Sequence, residues 1–144
     1  MMKDKSVFEN YSLYYDLLYS DKDYDKESRY IDKLLRDNHI NGSKLLEFGS
    51  GTGIHANKLV SKGYEVFGIE LSHDMVKLAK QTSGFQCKQG NMISAKAPGL
   101  YNGILSLFHV VSYLTTKKQL KQFFLNCNRH LLQEGLLVFD VWYT

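Results

Sequence analysis

The sequence is short of several things, and each shortage closes off a class of protein. It has one proline, Pro98, and two cysteines, Cys87 and Cys127, in 144 residues. The cysteines form no C-x-x-C pair and have no histidine pair nearby at ligand spacing, so neither a disulfide framework nor a metal site is indicated; both read as buried thiols in a reducing compartment. No sign of charge dominates. Eighteen Lys and Arg face 15 Asp and Glu, interspersed, for a net charge of +3, which leaves no footprint for nucleic acid. No apolar run is long enough to span a bilayer: the longest, Ile104 to Leu114, is interrupted by Ser106, His109 and Ser112. The opening residues, Met1-Met2-Lys3-Asp4-Lys5, are charged and show no signal peptide. The expected setting is cytoplasmic, with neither a membrane nor a nucleic acid as partner. Repeats and low-complexity tracts are absent. What remains is one soluble domain, 44% hydrophobic and long enough to bury a core.

What is present centres on Leu45-Leu46-Glu47-Phe48-Gly49-Ser50-Gly51-Thr52-Gly53. A short apolar run carrying an acid gives way to three glycines at alternate positions. The run reads as a buried parallel strand. The glycines read as a tight turn over which a ligand lies close to the backbone. A helix from about Thr52 to Ser61 follows, its N-terminus toward that ligand. Seventeen residues past Gly53, the apolar run Val66-Phe67-Gly68-Ile69 ends in Glu70. An acid at the tip of the second strand of a doubly wound sheet is placed to grip ribose hydroxyls. Together these features make a nucleoside-binding site.

The glycine spacing alone leaves two ligands open. Counted from Gly51, it fits the permissive G-x-G-x-x-A form of a dinucleotide fingerprint, with Ala56 in the last place. Glu47 argues the other way, because a carboxylate beside the turn repels a pyrophosphate and suits an ammonium or sulfonium. No Gly-Lys-Ser/Thr follows, so there is no Walker A loop.

Five segments in this order resemble the class I S-adenosylmethionine-dependent methyltransferases. E-x-G-x-G-x-G from Glu47 is similar to their first motif, and Val66–Ser72 to their second-strand motif. Gly90-Asn91-Met92 resembles their loop after strand three, with Asn for the usual Asp. Tyr101–His109 resembles their fourth strand, and Leu131–Asp140 their entry to strand five, with Gln133-Glu134-Gly135 replacing the usual turn. The resemblance runs from about Tyr11 to the last residue. It extends in particular to enzymes that N-methylate nucleotide-linked amino sugars, in the tyrosine-rich arm, the "LFHVVSYL"-like segment and the "FDVW"-like fifth strand. It implies an α/β, Rossmann-like doubly wound sheet, mostly parallel, with helices on both faces. It also implies S-adenosyl-L-methionine as cofactor and a small-molecule acceptor, with an amine as a candidate.

Residue roles follow from the resemblance. Gly49, Ser50 and Gly51 let the backbone approach the ligand, Glu47 holds its ammonium, and Glu70 takes both ribose hydroxyls. Leu71, Asn91 and Met92 frame the adenine, and Leu107 lies at the end of strand four. His55 reaches the cofactor carboxylate, or else caps or decorates the surface. His109 is a candidate base near the transferring methyl, or else packs under its loop. Tyr11 and Tyr14 belong to an arm that closes over the cofactor, Tyr14 with its hydroxyl toward the substrate; the alternative is a helix that buries aromatic surface. No metal is required. His39, His73 and His130 read as structural or exposed, Asn102 as a turn residue, and Lys117, Lys118 and Lys121 as a solvated helix face.

The elements expected are a helix over Asp23–Asp37, then strands at about Lys44–Phe48, Glu65–Ile69, Phe85–Lys88, Gly103–Leu107 and Leu136–Val141. Helices are expected at about Thr52–Ser61, His73–Gln81 with Ser72 as cap, and Thr116–Leu131. Residues 1–40 read as a helical arm or lid, and 41–144 as the cofactor-binding core of a single domain. The family's sheet has seven strands. This chain ends just after strand five, so a C-terminal truncation is expected, and a further segment or a second copy of the chain would cover the strand-five edge. The rival readings are a fragment that binds the cofactor without turnover and an NAD-dependent oxidoreductase.

Overall fold

The computed structural model of the chain describes residues 23–141. Its elements in order are α1 (Tyr24–Asp37), β1 (Lys44–Phe48), α2 (Ile54–Val60), β2 (Glu65–Glu70), α3 (His73–Leu78), β3 (Phe85–Gln89), β4 (Tyr101–Ser106), a 3-10 turn (Val110–Tyr113), α4 (Lys117–His130) and β5 (Leu131–Phe139). The strands form one sheet in the order β3-β2-β1-β4-β5, all pairs parallel. The chain winds outward from β1 to β3, crosses back to β4 and winds out to β5, which is the expected doubly wound plan.

Both faces of the sheet are covered. On one, Ile31 and Leu35 of α1 and Ala56 and Leu59 of α2 pack on Leu45, Val66 and Leu105. On the other, Phe123 and Cys127 of α4 pack on Leu46, Phe48, Ile69 and Ile104, with Met92, Ala95 and Ala97 beside them. Successive residues of β1 therefore serve opposite faces, and β4 is buried along its whole length. That double burial is why these strands read as unbroken apolar runs. Side chains cap three helices: Asp23 accepts from the Lys26 N–H, Ser72, the expected cap, from the Met75 N–H, and Thr116, expected inside its helix, forms a capping box with Gln119.

The main differences from expectation each have a local reason. Helix α2 starts at Ile54 rather than Thr52, because Gly53 caps it at φ +85°. A Cβ there would meet the Phe85 ring at 2.3 Å, so the turn consumes two more residues before the helix can begin. Helix α3 stops at Leu78 rather than Gln81. Ala79 is extended, the Lys80 carbonyl accepts from Asn57 Nδ2, and Gln81 Oε1 takes the Cys87 N–H on the edge strand β3. Strand β5 starts at Leu131, with no loop after α4. Gln133-Glu134-Gly135, expected as the entry turn, is instead an irregularity within it: Glu134 sits at φ +66° and the register on β4 jumps between Tyr101 and Gly103. Asn102, expected in a turn, is buried in β4, where its side chain accepts from the Lys44 N–H and donates to the Asn41 carbonyl. It ties the entry of β1 to its neighbour. Among the described residues, no helix is long and apolar enough to cross a membrane.

Candidate functional site

The order of strands reverses between β1 and β4, and a cavity opens at their C-terminal ends, where such sheets place ligands. It has a volume of about 40 Å³ and is walled by Glu47 of β1, the turn from Gly49 to Thr52, His55 of α2, Leu107 and Phe108 beyond β4, and Tyr24 of α1. Six expected ligand contacts thus share one cavity: Glu47, Gly49, Ser50, Gly51, His55 and Leu107. Gly49, at φ +79°, runs so close under the 3-10 turn that a Cβ would meet Val110 at 2.7 Å.

Glu47 is 2% exposed, and its Oε1 has no hydrogen-bond partner among the described residues. Burial, and secondarily the nearby Glu70 carboxylate, push its carboxyl up to about 8 from an ordinary 4.5. A buried acid without a partner costs stability; at this position it is what a cationic ligand would complete. The Ser50 hydroxyl is also buried without a partner among the described residues. Two orphaned polar groups in one small cavity favour a ligand that carries an ammonium and hydrogen-bond donors.

Glu70 is already engaged. Its Oε1 accepts the Gly51 N–H at 2.9 Å and its Oε2 the Ser72 N–H at 2.7 Å. These bonds lock the glycine turn to the end of β2. A carboxylate has about four acceptor sites, so capacity remains for two hydroxyls. Leu71 beside it is 67% exposed. Beyond β3, Asn91 folds its Oδ1 onto the Ile93 N–H at 3.1 Å, and Met92 packs partly into the core. These four lie at the same edge of the sheet as the cavity, outside its walls.

The loop after Asn91 is fastened to α4. Asn126 Nδ2 donates to the carbonyls of Met92 and Ala95 at 2.9 and 3.1 Å. The Ala97 N–H donates to His130 Nε2 at 3.0 Å, and His130 Nδ1 donates to the Asn126 carbonyl at 2.8 Å. His130 is therefore a buried structural histidine, and His39 and His73 are exposed. Sequence reasoning missed Asn126. The available signal was two polar residues, at i and i+4, on the stripe of α4 that also carries Phe123 and Cys127.

His55 is buried, with Nε2 2.7 Å from Glu27 Oε2 and its ring edge-on to Tyr24. It is a wall of the cavity rather than a surface or capping residue. Phe108 and His109 both have left-handed backbones, at φ +72° and +63°, a conformation that costs a non-glycine residue about 1–2 kcal/mol. One carboxylate, Asp140, accepts both of their backbone N–H groups. His109 Nδ1 lies 3.8 Å from the same carboxylate. Tyr24, Phe108 and Asp140 were not anticipated. Asp140 repeats a visible pattern, an acid at a strand's C-terminal end, already seen at β1 and β2. Tyr11 and Tyr14 lie outside the described residues.

A family described as "Methyltransferase domain" matches residues 46–139. The chain belongs to that family. This methyltransferase domain is 31% identical over 132 residues to a Streptomyces venezuelae dTDP-3-amino-3,4,6-trideoxy-alpha-D-glucopyranose N,N-dimethyltransferase, covering 90% of the chain and 56% of that protein. Among solved structures, it is similar to Streptomyces venezuelae DesVI, with a TM-score of 0.81 and 32% identity over 90% of the chain and 56% of DesVI. It is also similar to CalS10, an amino pentose methyltransferase from Micromonospora echinaspora solved with S-adenosylmethionine bound, with a TM-score of 0.81, 25% identity and the same coverage. The methyltransferase domain thus spans a little over half the length of the relatives it matches.

Proposed function

We propose that this domain binds S-adenosyl-L-methionine and methylates an amine on a small soluble molecule, an amino sugar being the class favoured by the relatives' substrates. The observation that carries the reading is the orphaned, buried carboxylate of Glu47 beside the glycine turn. A nicotinamide dinucleotide would bring its pyrophosphate to that acid, an anion that holds the buried group protonated where a cation would complete its charged form, and this disfavours the oxidoreductase reading.

When bound, the cofactor supplies a methyl group already activated on a sulfonium, so the protein's main task is alignment, worth about 7–11 kcal/mol in well-oriented systems. Glu47 and Ser50 hold the amino-acid end. Glu70 takes the ribose hydroxyls with its remaining acceptor sites, and Gly49 and Gly51 keep the turn close. Leu71, Asn91 and Met92 frame the adenine, where an Asn amide supplies both a donor and an acceptor. His55 faces the ligand carboxylate. His109, at the exit of β4, takes the proton that the amine releases as its new bond to carbon forms, with Tyr14 as a second polar contact to the acceptor. The proposed lid, Tyr11 within it, is confined to the segment before Asp23; α1, counted with it in the expected division at residue 40, packs on the sheet as part of the core. A further segment or a second copy of the chain covers β5. The buried free thiols Cys87 and Cys127 suit a reducing, cytoplasmic setting.

Calorimetric titration of the purified chain with S-adenosylhomocysteine tests this, with NADH as control and Glu70→Ala alongside. Micromolar binding, weakened about 10–100-fold by Glu70→Ala as expected for a lost charged acceptor, supports the cofactor reading. Binding of NADH in its place overturns it. Cofactor binding without turnover of any amine supports the rival of a fragment that holds the cofactor alone.

A further inference from the structure

We propose that Asp140 is the positioning residue of the transfer site: its carboxylate holds the Phe108–His109 turn in its left-handed form and so sets where the His109 imidazole stands, next in the chain to the Phe108 wall of the cavity. The part concerning transfer rests on the function proposed above; the part concerning the turn does not.

Three observations converge. Phe108 and His109 are consecutive side-chain-bearing residues at φ +72° and +63°, a pairing that persists only where the surroundings over-determine it. Both of their N–H groups point into the Asp140 carboxylate, at 3.1 Å for Phe108, so one anion satisfies the two donors that this backbone shape turns to the same side. Asp140 is itself fixed. Its own N–H donates to the Ser106 carbonyl at 3.3 Å, which carries the β4–β5 ladder one residue past the strand. The result is a closed strap from the end of β4, through the turn, to the end of β5.

The strap sits on the ligand site. Leu107 and Phe108 wall the cavity with Glu47, and Val110, the first residue past the Phe108–His109 turn, presses on Gly49. The His109 ring leaves this turn with Nδ1 3.8 Å from Asp140 Oδ1, so the anion that shapes the backbone also faces the imidazole.

The test uses the ¹⁵N-labelled 144-residue chain and its Asp140→Asn, Asp140→Glu and Asp140→Ala variants. Asp140→Ala should shift the amide resonances of Phe108 and His109 together and speed their hydrogen exchange, while amides on α1 stay in place. The loss of thermal stability should be smaller in a Phe108→Gly background, where the left-handed backbone is no longer strained. Turnover with S-adenosylmethionine and a dTDP-linked 3-amino sugar should fall roughly 10–100-fold in kcat for Asp140→Ala, as small misplacements do. KM for the cofactor should change little, and Asp140→Glu should recover part of kcat. Unmoved amides, or equal destabilisation in both backgrounds, overturn the proposal. So does a drop confined to cofactor affinity, which would make Asp140 a wall of the cofactor pocket. If the wild-type chain binds S-adenosylhomocysteine but turns over no amine, the acceptor reading fails, and the amides and the stability comparison still decide the role of Asp140.

Discussion

Glu47 makes the ligand-free fold and the bound state want opposite things. Its carboxyl is lifted to about 8 by burial and then by Glu70, so the folded, empty protein keeps its proton where the unfolded chain has already released it. The unfolded state binds fewer protons between about pH 4.5 and 8, and stability must therefore fall as pH rises through that window. A cationic ligand needs the carboxylate, so binding below pH 8 releases a proton, and affinity rises toward tenfold per pH unit until about pH 8. Glu47→Gln should flatten this slope, raise the melting temperature of the empty protein at pH 8, and weaken S-adenosylhomocysteine roughly 10–100-fold. Melts at pH 6 and pH 8, with titrations in buffers of different ionisation heat, check all three. A wild-type protein that is more stable at pH 8 than at pH 6, with no proton released on binding, would show that Glu47 is not the cation's partner. The same residue was legible in the sequence as a strand-end acid; its orphaned oxygen was not, because a pattern carries no hydrogen-bond census.

At the scale of elements, the loops are set by contacts distant in sequence, and these are what the sequence conceals. Runs of apolar residues marked the order of all five strands and the bounds of β1 to β3 to within a residue, and Ser72 marked the start of α3, while β5 begins five residues before its expected start. The start of α2 escaped because Gly53 answers to Phe85, thirty-two residues away. Gly53→Ala should cost about 2–5 kcal/mol in a urea melt, about 1–2 for the left-handed backbone and the rest for overpacking against the ring. The loop proposed to frame the adenine is likewise held from α4, by Asn126 and His130. Asn126→Ala removes the donors of two carbonyls and should destabilise by about 1–3 kcal/mol. It should also weaken 5′-methylthioadenosine, which has the adenine and lacks the amino-acid end. Glu47→Gln should leave that smaller ligand almost unaffected. If calorimetry shows both variants weakening it equally, the two ends of the site are not separable as described.

At the scale of the molecule, the two edges of the sheet are treated differently. On β3, Gln86, Lys88 and Gln89 are exposed and polar, and the Gln81 side chain covers the Cys87 N–H, the kind of protection that blunts an edge. On β5, Leu136-Leu137-Val138-Phe139 carries no charge and pairs with one neighbour, β4, among the described residues. Phe124 and Phe139 meet edge to face with ring centroids 5.7 Å apart beside it, each 39% exposed, and Val141 is 49% exposed. Such an edge associates with whatever strand or apolar face it meets. The 144-residue chain should therefore self-associate as its concentration rises. Phe124→Lys, which sets like charges against each other across a contact between copies, should return its sedimentation toward that of a 16.6 kDa monomer. The ligand site, by contrast, is built on β1, α2 and the exits of β2 and β4, and β5 contributes Asp140 at its tip. Cover for β5 and cofactor binding should then be separable, and the Phe124→Lys monomer should bind S-adenosylhomocysteine as tightly as the assembled chain. A monomer that stays folded but loses the ligand would mean that the site is completed across β5 by the neighbouring copy, and that the cavity at β1 and β4 is half of a shared one.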